Sequence, residues 1–421
     1  MKTVAIIAEY NPFHKGHIYH LEKALELTGA DYSIAIMGGN FLQRGQAAMW
    51  DKYTRATMCL TSALDLVIEL PFPYATGSAR DFSMGAVSLL NKLNSVDYLC
   101  FGAETSDIDA LQHIASILTE EPSEYKIHLK NCLAEGMSYP VAREKAIISY
   151  TTKKEYSDII SSPNNILAIE YICALKNLNS SIKPIVVERK DAAYHDSTLH
   201  QNISSATAIR HFFDTIYAES TKNIELSKLK NSLSEDVFSI IQKNHGIISP
   251  IFSDMLTPIL QSKLISHGDL SVICDMSNEI ANKLNSFDLC NSYSDIIKAL
   301  KTKDITHSRI ARSLIHLLLN YTDDDRKDFI KNGYAFYANI LGFKKNSSKL
   351  IKLLHDNSDI PLITKKADFE KYILELSDIK KIQAKKMWQL DTEATKLFNC
   401  LIYNTYGQKH YNDYNIPLPI I

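Results

Sequence analysis

Residues 3–17 read TVAIIAEYNPFHKGH, and this stretch decides the fold. Thr3 to Ala8 is an apolar, β-branched-rich run and predicts a buried strand. A turn at Asn11-Pro12 follows, then a helix from about Gly16. Four further runs predict strands: YSIAIM at 32–37, DLVIELP at 65–71, VDYLCFG at 96–102 and KPIVVER at 183–189. Helical patterns fill the gaps. Strands alternating with helices predict βαβ units, hence an α/β, Rossmann-like domain on a mostly parallel sheet. Such sheets bind ligands beyond the carboxyl ends of their strands. The unusual residues cluster there, at Glu9 to His17, Gly38 to Gly45, Gly102 to Glu104 and Arg189 onward.

Beyond about residue 215 the texture changes to apolar residues at three- and four-residue spacing, in a background rich in Lys, Asn and Ser. The expected organisation is therefore a nucleotide-binding domain at 1–215 and a mainly α-helical domain at 216–421. Hydrophobic residues make up 45% and charged residues 22%, as in an ordinary globular enzyme. The net charge of −2 supplies no global attraction to nucleic acid or membrane, so any RNA contact must come from local patches. The seven cysteines lack the close spacing of a zinc site or dithiol pair, and no metal-ligand cluster is visible. The apolar run at the N-terminus is too short for a membrane span and lacks a signal-peptide cleavage pattern. A cytoplasmic protein without membrane association is expected, and no motif encodes an oligomeric state.

His14-Lys15-Gly16-His17 sits between the first predicted strand and its helix. A glycine lets a nucleotide approach the backbone, a helix N-terminus favours phosphate, and imidazoles can donate to oxygens that gain charge in a transition state. Ser204 and Ser205 open a second helix with Arg210 one and a half turns on. Paired serines are ordinarily an N-cap. Beside the first motif they also suit closure over a triphosphate, with Arg210 as the clamp. The loop Gly39 to Gly45 gathers Asn40, Gln43 and Arg44, a set fit for a small carboxylate or a cytidine edge, or for a plain polar connection. Asp51, Lys52 and Arg55 read as the solvated first turn of the next helix. Lys301, Lys303, His307, Arg309 and Arg312 form a basic patch, with Arg309 and Arg312 one turn apart. It is a solvated face or an RNA contact.

Taken together, the His14–His17 and Ser204–Arg210 elements resemble the nucleotidyltransferase superfamily that shares the HIGH-type signature with class I aminoacyl-tRNA synthetases. The segments AEYNPFHKGH, GGNFLQRG, WDKYTRA, LDLVIELPFPYATGSARDFSMGAV, FGAE, SPNNILAIEY and ISSATAIR then occur in order. KTKDITHSRIARSL and YANILGF follow in the second half. This run is similar to the bacterial tRNA(Met) cytidine acetate ligase family. The resemblance implies that ATP and acetate form acetyl-adenylate and pyrophosphate. The acetyl group then passes to the exocyclic amine of the wobble cytidine of elongator methionine tRNA, without acetyl-CoA, and magnesium arrives with ATP. It implies His14 and His17 as the catalytic pair. It also implies a nucleotide contact along Ile7, Ala8, Glu9, Tyr10, Asn11, Pro12, Phe13, His14, Lys15, Gly16, His17, Ile18, Tyr19 and His20. Gly102, an asparagine of the Asn164-Asn165 pair (Asn165 favoured) and Arg189 complete that contact.

Two other functions stay open from the sequence. One is an adenylyltransferase for a small phosphorylated cofactor precursor, which would not need the helical extension. The other is a non-catalytic nucleotide- or RNA-binding module, against which the complete set His14, Gly16, His17, Ser204 and Arg210 argues.

Overall fold

The structure is a computed structural model describing residues 1–189, 205–218, 226–244, 253–287 and 290–421. Its strands are β1 (Thr3–Ala8), β2 (Tyr32–Gly38), β3 (Leu66–Leu70), β4 (Tyr98–Ala103), β5 (Lys183–Glu188), β6 (Ala338–Phe343) and β7 (Leu362–Ile363). They form one seven-stranded sheet in the order β5-β4-β1-β2-β3-β6-β7. The first five are parallel neighbours, with β1 registered on β2 from Thr3↔Tyr32 to Ala8↔Met37. Each matches a run expected from sequence to within about two residues. The chain builds outward from β1 to β3, then returns to add β4 and β5 on the other side of β1. The gap between β1 and β4 is therefore the switch point, where a crevice opens above the strand ends.

The helices that frame those ends are α1 (Lys15–Thr28), α2 (Lys52–Ser62), α3 (Ala79–Lys92), α4 (Pro163–Asn177), α5 (Ala206–Ala218), α6 (Glu235–Asn244), α7 (His307–Leu318) and α8 (Asp378–Tyr406). Side chains alternate across the sheet, so Val4 and Ile6 join one core with Leu21, Tyr53, Ile209 and Val237. Ala5 and Ile7 join the other, with Val87, Ile169, Leu314 and Phe398. Both faces are covered, which is why the strands read as continuous apolar runs. Each fully buried Ile or Leu contributes roughly 1.5–3 kcal/mol.

The second half is mainly helical, but it also completes the sheet. β6 runs antiparallel to β3, and β7 extends β6 in parallel. Residues on both sides of position 215 therefore share one sheet. Two seams tie the second half to the loop after β2. Gly45, with φ +69, lies so close to α7 that an added Cβ would overlap the Ala311 carbonyl carbon and the Arg312 amide. From α8, Phe398 meets the ring of Phe41 at 6.4 Å. Tyr337 and Trp388 are buried, Tyr337 meeting Trp388 edge-on and Phe369 stacking on Trp388 at 4.4 Å.

Candidate active site

The crevice above β1 and β4 is a cavity of about 270 Å³ lined by residues between Ile6 and Arg210. Its floor is the start of α1, and there the spacing His14-x-x-His17 has a local physical cause. His14 is the N-cap: its Nδ1 accepts from the Gly16 N–H at 3.0 Å, while His17 Nδ1 accepts from the His14 N–H at 3.2 Å. This is a capping box made of two imidazoles. It fixes their tautomers, because a neutral ring whose Nδ1 accepts a hydrogen bond carries its proton on Nε2. Both residues line the cavity, and Nε2–H is the donor each ring has left for a ligand. Their centroids are 3.8 Å apart.

The imidazoles are uncharged at neutral pH. Burial lowers His14 to about 3, and the guanidinium groups of Arg189 and Arg210 push the same way. His17 is lowered by burial, then by His14 and Arg189, and His20 falls to about 4 by burial and Arg189. The cavity's positive charge therefore resides on arginine. Arg189 leaves β5 and crosses above Gly102, where a Cβ would stand 3.3 Å from its Cγ. Arg210, on α5, donates from Nη1 to the Asn11 carbonyl at 2.9 Å and from Nη2 to Thr207 Oγ1 at 2.9 Å. Ser205 accepts from the Ala208 N–H at 3.1 Å, the geometry of an N-cap, and also lines the cavity. Ser204 lies outside the described residues.

These depressed values predict acid sensitivity. Unfolded, the histidines titrate near 6.5, whereas in the fold they resist protonation, so the unfolded chain binds more protons as pH falls. Between pH 6.5 and about 4, each should remove up to about 1.4 kcal/mol of stability per pH unit. His14→Gln, which keeps an acceptor for the Gly16 N–H without titrating, should flatten the fall of the unfolding midpoint over that window. An unchanged slope would contradict the assignment.

Other expected residues divide. Along α4, Asn164, Leu167 and Tyr171 share the face that lines the cavity. Asn165 instead points its Oδ1 at the N–H groups of Glu104 and Thr105, at 2.8 and 3.2 Å. Glu104 in turn accepts from the backbone of Asn164 and Asn165, clasping the start of α4. Of the polar loop residues after β2, Gln43 and Arg44 line the cavity. Asn40 does not: it is buried, its Oδ1 accepting from the Lys52 N–H at 2.8 Å.

Asp51, Lys52 and Arg55 correct the sequence reading most sharply, since they are buried rather than solvated. Arg55 donates from Nε to the Trp50 carbonyl, from Nη1 to Glu9 O, and from Nη2 to the carbonyls of Gly38 and Gly39. One guanidinium thus holds the chain just past β1 and the end of β2 together beneath the crevice. Lys52 Nζ bonds both Glu69 carboxylate oxygens and Asp413 Oδ1, each at 2.9 Å.

The basic patch also changes shape. Arg312 is mostly buried, its Nε bonded to Asp275 Oδ2 at 2.7 Å, and Arg309 Nε donates to the Asp275 carbonyl at 3.3 Å. These arginines hold α7 in place. Lys301 and Lys303 are exposed. His307 is lowered by burial, then by Lys301 and Arg44, which places these cations together. The charges of Arg44, which lines the crevice, and of the exposed Lys301 thus both act on His307.

The HIGH Nucleotidyl Transferase family model matches residues 1–413. The tRNA(Met) cytidine acetate ligase of Clostridium tetani is 39% identical over 372 residues, covering 87% of this chain and 90% of its own. That of Caldanaerobacter subterraneus subsp. tengcongensis is 36% identical over 410 residues, 97% of both chains. This chain belongs to the tRNA(Met) cytidine acetate ligase family. A solved member of the family, Thermotoga maritima TmcAL in its apo form, superposes with a TM-score of 0.92 at 30% identity over the full length of both chains. The same protein bound with alpha-thio ATP superposes at 0.89, covering 100% of this chain and 99% of that one.

Proposed function

We infer that this chain is an ATP-dependent ligase that activates acetate as acetyl-adenylate and transfers the acetyl group to the amine of a cytidine in methionine tRNA. What carries the reading is the pair of neutral Nε2–H donors at the start of α1, flanked by Arg189 and Arg210. An acetate oxygen attacks the α-phosphorus of ATP and pyrophosphate leaves. Negative charge grows on the α-phosphate oxygens, where the imidazoles donate and the helix N-terminus adds its positive end. The arginines hold the phosphates. Asn11 Nδ2, buried on the cavity wall with no hydrogen-bond partner, fits an incoming oxygen acceptor.

Among the described residues no three His, Cys, Asp or Glu side chains converge to hold a metal. Magnesium fits this site as an ion carried on the triphosphate, supplying charge neutralisation there. Acetyl-CoA has no part in the reading. No helix among the described residues is long and apolar enough to cross a membrane, and a cytoplasmic setting belongs to the same proposal.

Exchange of labelled pyrophosphate into ATP tests the first half-reaction. It should require acetate and proceed without tRNA. Exchange driven by a phosphorylated cofactor precursor would favour the adenylyltransferase alternative, and no exchange at all would favour a binding module.

For tRNA, the exposed Lys301 and Lys303 are the proposed phosphate contacts, with Arg44 leading from them to the crevice. Lys301→Ala with Lys303→Ala should weaken tRNA binding and lower the log–log salt slope by up to about 2. Exchange should stay within about twofold of wild type. Normal tRNA binding across a salt titration would make this a solvated face. Arg309→Ala with Arg312→Ala should instead lower stability, since Asp275 loses its partners.

A further inference from the structure

Glu9 is out of place in a site built for anions. It follows β1 directly and lines the cavity whose positive charge comes from Arg44, Arg189 and Arg210. Its Oε1 accepts from the Gln43 N–H at 2.8 Å, so the carboxylate leans toward the loop after β2, away from Gly102 and Arg189. Its backbone carbonyl is held by Arg55 at 2.6 Å. Two anchors therefore fix the residue, while among the described residues no hydrogen bond reaches Oε2. Tyr171, across the cavity on α4, is held above its usual range by burial and then by the charge of Glu9. On this side the wall is aromatic and apolar, with Phe82, Phe101 and Leu167 beside Tyr171.

A fixed carboxylate oxygen needs a hydrogen-bond donor. The triphosphate and acetate are anions and would be repelled by it. The target amine is the one reacting group that carries N–H. We propose that Glu9 is a catalytic residue of the second half-reaction, orienting the exocyclic amine of the incoming cytosine and taking its proton. This rests on the ligase reading above. The amine nitrogen forms a bond to the acetyl carbon, and the bond from that carbon to the phosphate oxygen breaks. AMP leaves with the electron pair and the amine proton passes to Glu9 Oε2. The nearby aromatic wall suits the flat face of a base turned out of its RNA strand.

Glu9→Gln is the direct test, because its amide oxygen still accepts from Gln43 while it no longer takes a proton. General-base loss costs about 10²–10⁴-fold. Single-turnover acetyl transfer from preformed acetyl-adenylate should fall at least about a hundredfold. Acetate-dependent pyrophosphate exchange should fall far less, and it reports that the variant is folded. Glu9→Asp, which keeps a base, should recover part of the transfer. A raised KM for ATP or a changed magnesium requirement, with exchange and transfer lost equally, would overturn the proposal by placing Glu9 on the nucleotide. Transfer at the wild-type rate would overturn it as well. A wild-type protein with no acetate-dependent exchange would overturn the ligase reading itself.

Discussion

His17→Ala is expected to lower acetate-dependent pyrophosphate exchange by about 10²–10³-fold, or roughly 3–4 kcal/mol of transition-state stabilisation. The reason is geometric. His17 lines the cavity with its Nδ1 fixed by the His14 N–H, which leaves Nε2–H as its donor and a ring that needs no reorganisation as charge moves. A neutral donor at a helix N-terminus gains most when the phosphate oxygens gain charge, and little in the ground state. The loss should therefore appear in kcat far more than in ATP affinity. His14 needs a more careful substitution because it also caps α1. His14→Ala removes cap and donor together, and cap loss alone costs about 1 kcal/mol of stability. His14→Asn keeps a capping oxygen without the Nε2–H. It should fold normally yet lose exchange to a similar extent as His17→Ala. Near-wild-type exchange by either folded variant would remove the imidazoles from the mechanism.

The largest expected effect on stability comes from Lys52→Met. Lys52 is 1% exposed, and its partners Glu69 and Asp413 are 4% and 2% exposed. Burial alone would lower the Lys52 ammonium, but Asp413 and Glu69 overrule it and hold it above its usual value. Methionine fills similar space while leaving two carboxylates buried without a counter-charge, a change that costs about 3–5 kcal/mol. Chemical unfolding should show this as a lowered midpoint. Adding Glu69→Gln and Asp413→Asn should restore most of the loss, since those changes remove the uncompensated charges. A single variant that costs under about 1 kcal/mol would contradict the description of this network. The effect should reach the site too. Lys52 N–H anchors Asn40, and an added Cβ on Gly39 would strike Glu69, so the loop bearing Gln43 and Arg44 rests on this cluster.

The first five strands and the start of α1 were legible because parallel strands covered on both faces must be continuously apolar. β6 was not. ANILGF is six residues within otherwise helical sequence, and periodicity does not separate such a run from a buried helical turn. Its strand character comes from β3, which the chain meets only in three dimensions. The imidazole motif was legible as a candidate site from its place between strand and helix. Its role as a capping box, with the tautomers that follow, needed the backbone. Two cations opening a helix are ordinarily solvated, and nothing near Lys52 and Arg55 in the sequence signals otherwise. The partners that bury them, Asp413 and the carbonyls at two strand ends, are brought to them only by the fold. Arg312 failed for the same reason, since Asp275 gives no sign of its pairing in the sequence. Asn40 and Gln43 share one polar loop, and only packing against Lys52 and α8 sends the first inward and leaves the second on the crevice.

Central to this account is the claim that the acetyl group reaches RNA from free acetate by way of an adenylate. Methionine tRNA incubated with the protein, ATP and carbon-labelled acetate, with acetyl-CoA absent, and then digested for nucleoside mass spectrometry, tests it most directly. A labelled acetylcytidine is expected, with one AMP and one pyrophosphate formed per acetyl group. Acetylation that appears only when acetyl-CoA is supplied, or that proceeds with no AMP formed, would contradict it.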